Sequence, residues 1–402
     1  MTGRFLFVVP PLQGHTNPTV SVGHELAERG HAVAWAGEPS VVRPLLTDGA
    51  AFFPCPPRLP EAMEDALRDK AAGLRGPAAL KFLWEEALLP LADAMQDPLA
   101  EAVAAFAPDV LVVDQQAVGA AAFARREGLR WATSATTSAE FARPYDVIPK
   151  VGEWIHQSLV DLQRRVGVPD DAAEQGDLRF ADDLVLAFTA EALVGEVAGF
   201  GDHVVFVGPS THARPQATPF PFEWLDPGRR HVLVSLGTVN QVVGERFYRA
   251  AVEALADLEV DGAPVQAVVV ADPEVLGPDA LGPVPDNVLV QAFVPQLALL
   301  PHIDAVVGHG GHNTTCEALA EGIPLVLAPI RDDQPIVAQQ VVDAGAGLRV
   351  KFGRVQAPAL RTAIEQVLTD PSFREGAARV AASFAAAGGA PRAADHLEKL
   401  LP

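Results

Sequence analysis

The densest cluster of chemistry-bearing residues is Gly308-His309-Gly310-Gly311-His312-Asn313-Thr314-Thr315, with Glu317 one helical turn further on. It lies between an apolar run, 304–307, that reads as a strand and a stretch that reads as a helix. A glycine-rich turn lets main chain come close to a ligand. A helix start supplies free N–H groups and roughly half a positive charge. The pattern therefore describes an anion site, suited to a diphosphate, with His309 and Asn313 as added side-chain donors. A plain turn capped by Asn313 is the competing reading. Glycine pairs alone would favour it, but His-Gly-Gly-x-Asn-Thr followed by Glu is a much narrower pattern. Gly-x-Gly-x-x-Gly and Gly-Lys-Ser/Thr loops are absent after the first strand, where Gln13-Gly14-His15-Thr16-Asn17-Pro18 stands. A nicotinamide enzyme or a phosphate-loop ATPase is disfavoured.

His15 is the second signal. It follows the first strand, at the carboxyl edge where open α/β sheets put ligands. Asp114 ends another strand of the same half and shares that edge. A carboxylate beside an imidazole fixes its tautomer and raises its basicity, which makes a general base for a hydroxyl. Alone, His15 would read as a surface residue and Asp114 as a strand-end cap.

Three further runs belong to the same chemistry. Arg331-Asp332-Asp333-Gln334 follows a strand over 324–330, where Asp333 and Gln334 can grip vicinal sugar hydroxyls; a metal-binding Asp pair and a solvated turn are the rivals. In Val290-Gln291-Ala292-Phe293-Val294-Pro295-Gln296, Phe293 can stack on a nucleobase or simply fill a core. Ser235-Leu236-Gly237-Thr238 is another strand followed by a small-residue turn that can approach a diphosphate.

The elements needed to position these groups are legible. Strands over 4–9, 32–36 and 109–113 alternate with helices over 18–29, 41–48 and 118–126, and 61–106 reads as long, irregular helix. After a proline-rich stretch, 210–230, the rhythm restarts. Strands are expected over 231–236, 265–271, 288–292, 305–308 and 324–329, and helices over 245–258, 357–369, 372–387 and 392–401. Continuous apolar strands between helices predict α/β, with two doubly wound parallel sheets. The length of 402 residues suits two such domains: 1–208, a linker 209–230, 231–386, and a final helix 387–402.

Composition narrows the partners. With 51 Asp+Glu against 30 Lys+Arg the net charge is −21, which argues against nucleic acid or an anionic membrane. Any anionic ligand must be held by local dipoles. The two cysteines, Cys55 and Cys316, exclude a disulfide framework and read as reduced thiols of a cytoplasmic protein. No apolar run approaches the roughly 20 residues of a membrane span, and 5–12 reads as a strand, not a signal peptide.

Taken in order, Gly14-His15-x-x-Pro18, Ser235-Leu236-Gly237-Thr238, Phe293-Val294-Pro295-Gln296, His309-Gly310-Gly311-x-Asn313-Thr314 through Glu317, and Asp333-Gln334 resemble the nucleotide-sugar-dependent glycosyltransferases of the GT-B fold, over nearly the whole chain. The nearest branch looks like the bacterial natural-product and macrolide enzymes of the UDP-glycosyltransferase superfamily. The resemblance implies two Rossmann-like domains across a cleft, with the last helix returning to the first domain. It implies His15 as catalytic base oriented by Asp114. Ser235, Gly237 and Thr238 would lie at the donor, Phe293, Val294 and Gln296 around the base, and His309, Gly311, Asn313 and Thr314 on the diphosphate. Glu317 would bind the ribose, and Asp333 and Gln334 the sugar. Phe293 stands where many UDP-sugar users carry Trp, so a UDP- or dTDP-sugar donor is expected.

The implied reaction is an inverting transfer of a hexose or deoxyhexose to a hydroxyl of a small apolar acceptor, such as a polyketide or aromatic aglycone. The nucleotide sugar is a co-substrate, and neither metal nor cofactor is implied; a homodimer is compatible. Trp84, Phe141, Tyr145 and Trp154 are candidates for an apolar acceptor pocket, each also readable as core. A nucleotide-sugar 2-epimerase and a non-catalytic sugar-nucleotide-binding partner are the alternatives. The presence of both His15 and Asp114 argues for catalysis.

Overall fold

The computed structural model describes residues 2–56, 70, 74, 76–195, 197, 199–212, 214, 218–237, 244–277 and 279–402. The chain divides into two compact units. The first comprises Met1–Ala190, Val197–Pro215 and Ala387–Pro402; the second comprises Glu191–Glu196 and Gln216–Ala386.

In the first unit, β1 (Arg4–Val8), β2 (Ala32–Gly37), β3 (Ala51–Pro54), β4 (Val110–Asp114), β5 (Trp131–Ala135), β6 (Val185–Ala187) and β7 (Val204–Phe206) form one sheet. Its order is β3-β2-β1-β4-β5-β6-β7, and every pairing is parallel. Strands of Phe, Leu and Val suit this architecture because both faces are covered. Leu6, Val8, Leu111 and Val113 pack on one side with Trp84, Met95, Leu99 and Phe123. Phe5, Phe7, Val110 and Val112 pack on the other with Leu26, Trp35 and Leu397. The strand order reverses between β1 and β4, so the gap above their carboxyl ends is the natural ligand crevice of this sheet.

The second unit repeats the plan. β8 (Arg230–Ser235), β9 (Glu259–Val260), β10 (Ala263–Val270), β11 (Val288–Gln291), β12 (Ala305–Gly308), β13 (Leu325–Leu327) and β14 (Gly347–Arg349) follow in sequence. The main path is β11-β10-β8-β12-β13-β14, all parallel, with β9 an antiparallel appendage of β10. Here the order reverses between β8 and β12. Both sheets are Rossmann-like and doubly wound.

Several elements depart from the sequence expectation. The helix expected over 18–29 is Gln13–Glu28 (α1), so His15 lies in its first turn and not in a loop. Pro18, where the expected helix begins, sits inside α1. The helix expected over 41–48 is Pro39–Val42 followed by a tight turn Arg43–Leu45, where Pro44 ends it. In the 61–106 stretch, residues 61–69 lie outside the described residues. The remainder includes Pro77–Phe82, a widened turn Leu83–Leu88, Leu89–Ala94 and Gln96–Phe106. Pro90 has no N–H to bond the Glu86 carbonyl, which accounts for the widening. β3, β5, β6, β7 and β14 and the helices Pro149–Val166 and Gln334–Asp343 were not anticipated. Glu191–Val194 packs against Gln334–Asp343, so 191–196 groups with the second unit although the sequence assigns 1–208 to the first.

The helix Gly389–Glu398 belongs to the first unit. Its Ala390, Ala393, Ala394 and Leu397 fill the apolar cluster beneath α1. The Gly3 N–H donates to His31 Nδ1 at 2.9 Å, so Nε2 carries the ring hydrogen and donates to Glu398 at 2.8 Å. Arg29 bonds both Asp395 and Glu398. Among the described residues no helix is long and apolar enough to cross a membrane.

Candidate active site

Each sheet carries a cluster of the expected residues at its switch point. In the first unit, β1 delivers His15 on the first turn of α1, and β4 ends on Asp114. The imidazole Nδ1 lies 2.9 Å from Asp114 Oδ1 and 3.0 Å from Oδ2. The Gln116 N–H donates to Oδ1 at 2.8 Å. Asp114 is buried, while the His15 side chain stays 15% exposed, enough to meet a ligand. A carboxylate only accepts, so it holds the hydrogen on Nδ1 and leaves the lone pair on Nε2. The composition of this cluster was not fully legible: Thr136, just past β5, bonds both His15 Nδ1 and Asp114 Oδ2 at 2.7 Å. The hydroxyl-rich run Thr133-Ser134-Ala135-Thr136-Thr137-Ser138 at a strand end was the available signal.

In the second unit, β8, β12 and β13 lie side by side, with Gly308 opposite both Ser235 and Leu327. Their ends bring Ser235, Gly237, the 309–313 turn and Asp333-Gln334 together. Gly311 takes the N-cap position of the helix His312–Ala320; the alternative that Asn313 caps it is corrected, because Asn313 lies inside the first turn. The His309 ring is sandwiched between glycines. A Cβ at Gly237 would come within 2.9 Å of it, and one at Gly311 would run into its Nε2. Gly237 also adopts φ +70°, a left-handed conformation that favours glycine. Burial pushes His309 down to about 4, against the opposing pull of Asp333 and a backbone group of Ser235. Its Nδ1 is buried with no hydrogen-bond partner. His312 turns inward, its Nε2 3.5 Å from Cys316 Sγ.

Neighbouring elements carry Phe293, Val294, Gln296 and Glu317. Phe293 follows β11 and is 55% exposed, so it is not a core residue; Val294 beside it is half-buried. Gln296 Nε2 donates to Glu317 Oε2 at 2.5 Å and to Thr314 Oγ1 at 3.3 Å. Gln296 therefore orients Glu317. Gln334 Oε1 accepts from the Ile330 and Arg331 N–H groups, so the oxygen of its amide is committed to the turn. Asp333 precedes that helix as its N-cap residue. Thr238 lies outside the described residues.

Of the four aromatic acceptor candidates, Tyr145 and Trp154 pack against the buried cluster that holds Trp84. Trp84 is buried in the core with Met95 and Leu99. Phe141 is buried in a ring cluster with Phe180, Phe200 and Phe206. Both are corrected to packing residues. Tyr145 and Trp154 are half-buried; the Tyr145 ring lies under the Arg179 guanidinium, 5.4 Å away. Among the described residues no group of three His, Cys, Asp or Glu could hold a metal ion.

Residues 262–400 match the family model for the erythromycin biosynthesis protein CIII-like C-terminal domain. The chain is similar to 4'-demethylrebeccamycin synthase of Lentzea aerocolonigenes, 33% identical over 100% of both chains. It is also similar to demethyllactenocin mycarosyltransferase of Streptomyces fradiae, 31% identical over 98% of this chain and 86% of that one. Among solved structures, the glycotransferase of kitacinnamycin has a TM-score of 0.80 at 27% identity, covering 100% of both chains. A spinosyn rhamnosyltransferase complexed with thymidine diphosphate has a TM-score of 0.73 at 22% identity, covering 98% of this chain and 100% of that chain.

Proposed function

The chain belongs to the natural-product glycosyltransferases of the UDP-glycosyltransferase family, with the GT-B fold, and from that premise we propose an inverting transfer for which His15 is the general base. The donor is a UDP- or dTDP-linked hexose or deoxyhexose. The acceptor is a hydroxyl of a small apolar natural product. The observation that carries this reading is the His15–Asp114 pair, whose Nε2 is left as the proton acceptor.

The step balances simply. The acceptor O–H proton passes to His15 Nε2 while its oxygen bonds to the anomeric carbon of the sugar. The bond from that carbon to the diphosphate oxygen breaks with its electron pair, on the opposite face, so the centre inverts. The leaving diphosphate gains charge where the main-chain N–H groups at the start of His312–Ala320 await it, a preorganised stabilisation. His309 offers a neutral ring. Glu317, held by Gln296, suits ribose hydroxyls; Asp333 suits those of the sugar. An exposed phenyl ring at Phe293 supports stacking on a pyrimidine, and the thymidine diphosphate bound by the spinosyn enzyme favours dTDP over UDP.

His15→Ala is expected to lower transfer by roughly 10²–10⁴-fold while dTDP or UDP binding, followed by calorimetry, stays within threefold. Mass spectrometry of a donor and acceptor panel reads the product. Undiminished transfer would remove His15 from the step. An epimerised donor with no glycosylated product would mark an epimerase.

A further inference from the structure

We propose that Thr136 is a positioning residue for the base, a third member of the His15–Asp114 pair; this rests on the reading of His15 given above. Thr136 lies one residue past β5, the strand next to β4, and is 3% exposed. Its Oγ1 is 2.7 Å from Asp114 Oδ2 and 2.7 Å from His15 Nδ1.

The hydroxyl has one proton and two lone pairs. A carboxylate oxygen has only lone pairs, so the Thr136 proton is donated to Asp114 Oδ2. What Thr136 then presents to the ring is oxygen, and Nδ1 must carry the hydrogen. Two acceptors on two strands therefore agree on one tautomer.

The second consequence concerns ring orientation. Nδ1 lies 2.9 and 3.0 Å from the two carboxylate oxygens, so Asp114 alone holds the ring almost symmetrically and leaves it free to rock between them. Thr136 adds a third point from another strand and fixes where Nε2 aims. The third consequence is electrostatic. The oxygen end of the hydroxyl dipole faces Nδ1–H, favouring the positive charge the ring acquires when Nε2 takes a proton. It opposes the positive end of the α1 dipole, in whose first turn His15 stands. The groups facing His15 thus include Asp114 from β4, Thr136 from beyond β5, and the start of its own helix.

The test compares Thr136→Val, which keeps the shape, with Thr136→Ser, which keeps the hydroxyl. Proton–nitrogen correlation spectra of histidine-labelled full-length protein read the His15 tautomer and titration midpoint, with His15→Gln identifying its signals. In wild type and Thr136→Ser, His15 is expected as the Nδ1–H tautomer alone. In Thr136→Val its midpoint falls by about half a pH unit or more and its ring signals broaden. A Thr136→Val spectrum matching wild type would overturn the proposal, as would a Thr136→Ser spectrum as perturbed as that of Thr136→Val. Should the Val variant fail to fold, Thr136→Ala against Thr136→Ser makes the same comparison. The two readings fail separately. Transfer surviving His15→Ala defeats the base but leaves this geometry standing; lost transfer with an unmoved Thr136→Val spectrum defeats Thr136 alone.

Discussion

His309 shows how a single buried side chain couples ligand chemistry to pH. Wedged between Gly237 and Gly311, its ring is cut off from water, and burial lowers it to about 4. At neutral pH the ring is uncharged. Under the proposed function, attraction for a diphosphate would then come from main-chain N–H groups. In the unfolded chain the same imidazole titrates near 6.5. As pH falls from 6.5 towards 4, the unfolded state takes up the proton and the folded state does not, so stability declines through that window. The full loss is about 3 kcal/mol. Urea unfolding of wild type and His309→Gln at pH 7 and pH 4.5 checks this: the variant is expected to show a smaller loss, and equal losses would contradict it. The glycine turn, His15 and Asp114 were legible because their types and their places at strand ends carry the information. The Gln296–Glu317 bond and the Thr136 contacts were not, because they join residues 21, 22 and 121 positions apart, separations that only tertiary packing closes.

At the scale of elements, the long apolar strands were readable and the short ones were not. β6, β7 and β14 have three residues each, too few for a period to show, and they exist because a neighbouring strand offers a register; β13, equally short, was legible because it lies within the apolar run 324–329. β5 reads Trp-Ala-Thr-Ser-Ala, with two small polar residues buried in the sheet, and the Thr133 hydroxyl accepts from the Ala181 N–H. Two prolines do not mark helix ends: Pro18 sits within a helix, and Pro90 widens a turn without ending the helical run. The helix Gly389–Glu398 shows what an element can contribute through packing. Leu397 is fully buried in the cluster of Phe5, Phe7, Leu26 and Trp35. Leu397→Ala is expected to cost the first unit about 2–5 kcal/mol, measured as a shift in its urea midpoint. A change below about 0.5 kcal/mol would mean that the helix is not integral to that core.

For the whole molecule, the net charge of −21 sets the terms on which an anionic donor approaches. Long-range repulsion opposes encounter, whereas the attraction at a helix start acts within the last few ångströms. Salt screens the first more than the second. The association rate of dTDP or UDP, followed by stopped-flow fluorescence, is therefore expected to rise between 20 and 200 mM NaCl (about 22 and 7 Å of screening length). A steep fall would instead signal a basic approach path. The two-sheet plan was legible because the alternation of strand and helix restarts after a proline-rich stretch. The regrouping of 191–196 was not, since nothing local distinguishes a four-residue helix that packs on one sheet from one that packs on another.

The return of Gly389–Glu398 to the first unit also has a consequence for biosynthesis. Apart from the short excursion at 191–196, the polypeptide leaves that unit at Pro215 and rejoins it at Ala387, so most of the second unit is, in connectivity, an insertion. On the ribosome, residues 216–386 emerge and can acquire their native form while the earlier unit still lacks a slice of its interior. The nascent first lobe must wait, with the apolar seat of Leu397 uncovered, until the last helix clears the exit tunnel.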